Sequence, residues 1–419
     1  MTVLIAGGGI AGLTLGLTLH QIGVPFKILE STAEIRPLGV GINLQPNAVR
    51  ELLDLGLEAE LDAIGVKTRQ LGFYSKLGKT IWEEPRGTWA GYAWPQYSVH
   101  RGALQMMLLQ ALTSRAGPDV VETGARATGF ENTGAGADLL LADGRRVNGS
   151  LIVAADGIHS ALRAQMVPDE GAPIWNGTIL WRVTTRAPAF AGGGAMAMIG
   201  HDRLRLVAYP ISDPDADGLA TINWIAEKAV DPSAPWKRED WNRAADIHEF
   251  LPDFTGWRFD WIDVPQLITG AEKVYEYPMV DRDPLDRWTE GAVTLMGDAA
   301  HPTYPVGSNG ASQAILDARV IGAQLLAHGL SPAALEAFED ICRPVTRQVI
   351  LANRAGGGPD GVLQRVEDLC GGAFDRIGDA IPEAELAAHA AKYKALAGFS
   401  IEELNARPRT IPEDARLNL

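Results

Sequence analysis

Only two cysteines occur in 419 residues, Cys342 and Cys370, and they form no CxxC pair. Thiols this sparse exclude a disulfide-built scaffold and fit a reducing compartment. Basic residues are also short: 37 Lys and Arg stand against 52 Asp and Glu, for a formal net charge of -15. That balance excludes the basic face a nucleic-acid partner needs, and it disfavours docking on anionic lipid. No apolar run is long enough to cross a bilayer. Val3-Leu4-Ile5-Ala6 runs straight into glycines, without the basic segment and cleavage spacer of a signal peptide. A cytoplasmic protein with no nucleic-acid or membrane partner is therefore expected. The eight histidines show no HxxxH spacing and no pairing with the cysteines, so no metal site is expected. There is no GxSxG elbow, and acyl-transfer hydrolysis has no support. Internal repeats and low-complexity blocks are absent. Apolar residues are plentiful at 46%, enough for a large core in two or three units.

The opening segment reads strand, glycine turn, helix, strand. Val3–Ala6 is fully apolar, as buried parallel strands are, Ile10–Gln21 is helical in pattern, and Pro25–Leu29 is a second strand ending at Glu30. Residues 71–100 are rich in aromatics, and Arg101–Leu112 reads as a helix. Short strands are expected to end near Leu141 and Ala155, with Asp143-Gly144 turning between them. From Trp175 to Tyr277, alternating runs such as Leu204–Tyr209 predict an antiparallel sheet, read as a separate substrate domain. A buried strand returns at Ala292–Met296, followed by a glycine-rich turn and a long helix to about Leu326. Gly356-Gly357-Gly358-Pro359 breaks the chain before an Ala-rich acidic helical segment with a loose tail. The fold class is α/β with α+β insertions. It comprises a Rossmann-like βαβ domain, an antiparallel-sheet substrate domain and C-terminal helices. The division is 1–174 and 278–355 for the first domain, with 71–100 contributing to the pocket, 175–277 for the second, and 356–419 for the C-terminal segment.

Gly7-x-Gly9-x-x-Gly12 lies between the first strand and helix, and Glu30 follows eighteen residues after the last glycine. Such glycines permit a tight turn, a close backbone approach to a pyrophosphate, and close helix–strand packing. The helix start at Ile10 and Ala11 offers amides and a partial positive charge to phosphates. Glu30 is placed to accept both hydroxyls of an adenosine ribose, and its charge disfavours NADP there. The fingerprint alone does not separate bound FAD from NAD.

Two later motifs are Val153–Arg163, an apolar strand ending in Asp156-Gly157 with Ser160 and Arg163 beyond, and Leu295–Ser312, which carries Gly297-Asp298-Ala299-Ala300-His301-Pro302. With GxGxxG, in this order and spacing over residues 1 to about 355, they resemble the single-component FAD-dependent aromatic hydroxylases. Para-hydroxybenzoate and salicylate hydroxylases are the well-known members. Glu34–Pro46, Pro95–Gly102, Val207–Pro210 and Tyr277–Pro284 are similar more closely to the phenazine-modifying monooxygenases.

The resemblance implies FAD as cofactor, NAD(P)H as transient reductant, and a small aromatic substrate attacked by oxygen through a flavin hydroperoxide. It makes 1–174 and 278–355 the FAD-binding domain. It implies that Asp298, after Gly297, binds the ribityl hydroxyls, and that Asp156 sits near the pyrophosphate and shapes the reductant's approach. Arg101 would lie against the pyrophosphate, and Gly41 would let backbone run close to the flavin. The amides of Gly310, Ala311 and Ser312 would face the pyrimidine edge, where reduced flavin is anionic. Pro305 would sit over the ring, with a simple turn proline the alternative. Turn or capping roles remain the alternative for Asp156 and Asp298.

Pocket residues are read from alternation. Arg205, Val207 and Tyr209 share one face of their strand. In salicylate-type relatives a histidine base stands four residues before the strand's aromatic. Here that place is Arg205, which stays protonated and is no base. Three readings stay open for it: anchoring a substrate carboxylate, lowering the pKa of a phenol, or pairing on the sheet surface. Trp181, Trp224, Tyr209 and Tyr304 are candidates to stack on a flat substrate, or else plain core. His301 belongs to the flavin-turn motif and is a weaker candidate base. Arg205, Tyr209 and Pro305 are thus the candidate residues at the reacting ring. A flavin oxidase or reductase, or a non-catalytic flavin-binding protein, is the alternative function. A halogenase of this fold carries WxWxIP, which is absent. The protein is expected to be a monomer or homodimer.

Overall fold

The computed structural model describes residues 1–231 and 243–418. Val3-Leu4-Ile5-Ala6 has no polar side chain, and so apolar a strand is stable only with both faces covered. It lies inside a six-stranded sheet of order Thr289–Glu290, Val293–Leu295, Leu151–Ala154, Val3–Ala6, Phe26–Leu29, Val121–Glu122. All neighbours are parallel except the first pair. The register sets Ala6 beside Ala154 and Ala154 beside Leu295. The three motif turns, at Gly7, Asp156 and Gly297, therefore leave one carboxyl edge together, where ligands of open parallel sheets bind. Helices Ile10–Gln21 and Gly310–His328 both start at that edge and pack on each other.

A second, eight-stranded sheet has the order Arg243–Ala245, Val274–Asp281, Ile174–Pro188, Leu219–Ala229, Leu204–Pro210, Ala195–His201, Gln70–Tyr74, Thr80–Pro85. Its neighbours are antiparallel, apart from the parallel pair Ala195–His201 and Gln70–Tyr74. Cross-strand rows fix which residues share a face. Leu180, Glu227 and Arg205 form one row; Arg182, Ile225 and Val207 the next; Thr184, Asn223 and Tyr209 a third. The intervening residues, among them Trp181, Trp224 and Leu206, point to the other face. There they pack with Phe250, Phe254 and Val264 in a separate core.

Several expectations are corrected. The substrate sheet does not end at Tyr277, because its strand runs on to Asp281. Residues 71–100 do not line the pocket. Leu71 and Phe73 belong to Gln70–Tyr74, the strand next to the sheet's last, and are buried among Met196, Val362 and Leu363. A third strand, Arg146–Gly149, turns the region before Ala154 into a small meander. The C-terminal tail is tied down: Ile411 is buried, Thr410 Oγ1 donates to Glu51 Oε1 at 2.6 Å, and Leu417 N donates to Ile22 O at 2.9 Å. No helix among the described residues is long and apolar enough to cross a membrane.

Candidate active site

The glycine turn is built by contact. A Cβ on Gly12 would lie 2.0 Å from Gly7 O, and one on Gly7 would lie 2.4 Å from Ala155 O. Neither position tolerates a side chain, because backbone blocks both. Gly9 differs: a Cβ there meets nothing within 4 Å. It caps helix Ile10–Gln21 with extended backbone and no side-chain cap, so the first-turn amides face open space. That is the shape of a phosphate cradle. Glu30 stands beside it, with Oε2 accepting from Gly8 N at 2.6 Å and Oε1 from Thr32 N at 2.7 Å.

A cavity of about 530 Å³ opens between this edge and the second sheet. Gly9, Ile10 and Ala11 line it at the glycine turn. Arg101, Gly41, Asp298, Pro305, Gly310 and Ala311 also line it. The sheet contributes Arg182, Arg205, Val207, Tyr209 and Ile225. The exposed Asp298 presents its carboxylate to the cavity. Gly41 joins the two domains: its amide donates to Asn223 Oδ1 at 2.7 Å, and a Cβ would strike Asn223 Cβ at 2.6 Å and Tyr209 Cε2 at 2.9 Å. This chain's residues fit a dinucleotide: an open amide cradle, a ribose-side carboxylate and a second carboxylate farther along. Removing that second one by Asp298→Ala should weaken FAD binding about tenfold or more, as loss of a charged hydrogen bond does. Fluorescence titration of the apoprotein measures it, and unchanged affinity would refute the assigned contact.

Other expected residues fall outside the lining. Asp156 does not face the cavity. Its Oδ2 accepts from Ala161 N at 2.9 Å, capping helix Ala161–Met166, and burial raises its carboxyl above the usual value. The capping reading describes its observed contact. Ser312 is buried, with Oγ accepting from Gln45 N at 3.0 Å. Gly297 N donates to Asp317 Oδ2 at 2.8 Å, and the same oxygen meets His301 Nε2 at 2.6 Å. Burial disfavours the charged ring, but the Asp317 carboxylate outweighs it and lifts the His301 imidazole above its ordinary value. His301 braces the turn from behind and does not line the cavity. Trp181 and Trp224 are turned away. Trp181 stacks on Phe250, and Trp224 Nε1 donates to Thr185 Oγ1 at 2.9 Å. Tyr304 does reach the cavity.

Arg205 is on the expected face but is not free. Its Nε donates to Glu227 Oε2 at 2.8 Å, and its Nη1 pairs with Asp360. Burial disfavours its charge, while the two carboxylates more than restore it. Burial raises Glu227 above the usual carboxyl value, with Arg205 pulling the other way. The cluster has one cation between two carboxylates, which corrects the carboxylate-anchor reading. Asp360 comes from the C-terminal segment, whose Tyr393 also meets Asn309 Nδ2 at 2.6 Å beneath the Pro305 turn. Through Asp360 that segment contributes to the cavity lining. Asp360, Asn223 and Arg182 were not found from the sequence. Alternation held a signal for Arg182, since it faces away from Trp181.

The family model described as "FAD binding domain" matches residues 1–183 and 267–353. The chain is 45% identical over 364 residues to the phenazine 1,6-dicarboxylic acid hydroxylase of Lysobacter antibioticus, covering 84% of this chain and 89% of that one. It is 33% identical over 391 residues to a 3-amino-4-hydroxybenzoate 2-monooxygenase of Streptomyces platensis, covering 90% and 94%. A salicylate hydroxylase in complex with its substrate has the same fold, with a TM-score of 0.73 at 22% identity over 98% of each chain.

Proposed function

The chain belongs to the FAD-dependent aromatic monooxygenases, and from that premise we propose that it hydroxylates a flat, polycyclic aromatic acid of the phenazine carboxylate type. FAD is its cofactor, and it is an oxidoreductase. The observation that carries the finer reading is the apolar cavity wall. Met196, Met198, Val207 and Ile225 give one apolar side from the sheet, and the Pro305 turn stands opposite. Such an apolar wall suits the face of a flat ring. Bound FAD would supply the oxygen chemistry. The chain's own part is to hold the ring flat between the sheet and the turn, at a fixed distance and angle. Tyr209, whose phenol is held above its usual value by burial, stays a neutral hydroxyl at the pocket wall. Pro305 lies in the turn where oxygen is expected to meet the ring.

The balanced reaction consumes one O2 and one NAD(P)H with a proton, places one oxygen on the ring and releases water. Phenazine-1,6-dicarboxylic acid should therefore accelerate NAD(P)H oxidation by the holoenzyme and yield a product heavier by one oxygen. Hydrogen peroxide as sole product, across phenazine and aminohydroxybenzoate acids, would sink this reading in favour of an oxidase.

A further inference from the structure

An arginine inside a sheet is costly unless a carboxylate meets it. Arg101 lines this cavity at the start of its helix, while Arg182 and Arg205 line it from the sheet, one row apart, about 7 Å along their strands. Arg205 is saturated by Glu227 and Asp360. Arg182 has no ion pair among the described residues. Its one hydrogen bond runs from Nη2 to Gly41 O at 3.4 Å, and its buried Nε has no partner. Burial lowers its guanidinium below the usual arginine value and the Arg101 charge adds to this, while Tyr209, Tyr277 and Glu227 pull the other way. Arg182 thus lines the cavity as a guanidinium that no carboxylate meets among the described residues.

We propose that Arg182 receives an anionic group of the substrate, a carboxylate on the aromatic ring, and is the residue that selects acids over neutral rings. This rests on the cavity being the hydroxylation site. A planar guanidinium takes a carboxylate by two parallel hydrogen bonds, and a low-dielectric slot strengthens the match. A neutral analogue leaves the same guanidinium unpaired, so the pocket rejects it. Arg205 takes no part in this, because its charge is already met.

The test uses acid and ester pairs with the holoenzyme: phenazine-1,6-dicarboxylic acid and its dimethyl ester, and 3-amino-4-hydroxybenzoate and its methyl ester. Binding is read by the perturbation of the oxidised flavin spectrum, which needs no turnover, and kcat/KM is read alongside. The wild type should prefer at least one acid over its ester by about 10- to 100-fold. Arg182→Met should erase that preference with FAD content unchanged, and Arg182→Lys should retain part of it. A wild type without preference overturns the proposal. So does a variant that loses acid and ester equally, which would assign Arg182 to the Gly41 loop or the flavin instead. Should Arg182→Met not fold, the wild-type ratio and Arg182→Lys decide. Failure of hydroxylation with preferential acid binding intact would count against the proposed reaction and leave the anchor standing.

Discussion

Gly9→Ala is expected to leave the apoprotein as stable as the parent and to weaken FAD binding on the order of 100-fold, about 3 kcal/mol. The backbone at Gly9, φ -76° and ψ -174°, is open to any residue, and a Cβ there meets no protein atom. Alanine lowers the entropy of the unfolded chain and is a poorer helix cap than glycine, so the two effects offset to within about 1 kcal/mol. The methyl group instead occupies the space in front of the helix amides. Gly12→Ala provides the contrast, since its Cβ would lie 2.0 Å from Gly7 O and the fold itself should fail. Urea denaturation of the apoprotein and FAD titration separate the two outcomes. FAD affinity within threefold of the parent in Gly9→Ala would show that the cradle is not where the phosphates lie.

Arg205→Met should cost about 3–5 kcal/mol at pH 8, because it leaves Glu227 and Asp360 buried without their cation. The pH dependence has a definite sign. Glu227 titrates above its unfolded value, so its contribution favours the folded state while it is protonated. That contribution is complete below the unfolded carboxyl value and fades as pH rises through the folded one. Removing Arg205 raises Glu227 further, so the variant's deficit should shrink as the pH is lowered from 8 towards 5. Adding Glu227→Gln should recover part of the loss by removing one stranded charge. Denaturation of the holoenzyme at several pH values checks this, and a deficit that does not change with pH would contradict it. Since Asp360 anchors the C-terminal segment, the single variant should also be cleaved faster near Gly356–Gly358 under limited proteolysis.

The motifs that were legible in the sequence share a property: each is local. Gly7–Gly12 with Glu30, the Asp156 turn and the Gly297-Asp298 turn were visible because strand, turn and helix follow one another within a few residues. Tyr209 and Arg205 were placed on the correct face by alternation alone. Position on a face does not disclose the neighbours, though. Glu227 lies 22 residues from Arg205 and Asp360 lies 155 residues away. Only the sheet register and the docking of the C-terminal segment bring them together. Trp181 and Arg182 illustrate the other limit. Strand pattern says that they face opposite sides but not which side is the pocket. Expecting stacking tryptophans chose Trp181, and the unpaired guanidinium went unseen. Asp156 shows that a motif can be correctly located while its observed contact is a helix cap.

The strand order of the parallel sheet also sets a timetable for synthesis. Val3–Ala6 and Leu151–Ala154 are neighbours, but the next strand, Val293–Leu295, is made nearly three hundred residues after the first. At roughly 5–20 residues per second, about 15–60 s pass between them on the ribosome. For the last part of that interval, about 7–28 s after its own synthesis, Leu151–Ala154, an entirely apolar strand, has one edge without its partner and no Asp298 turn beyond it. The nascent chain can hold the first phosphate turn but cannot complete a cofactor site. Flavin loading is therefore a late event, and the period before it is when this chain is most exposed to mispairing with others of its kind.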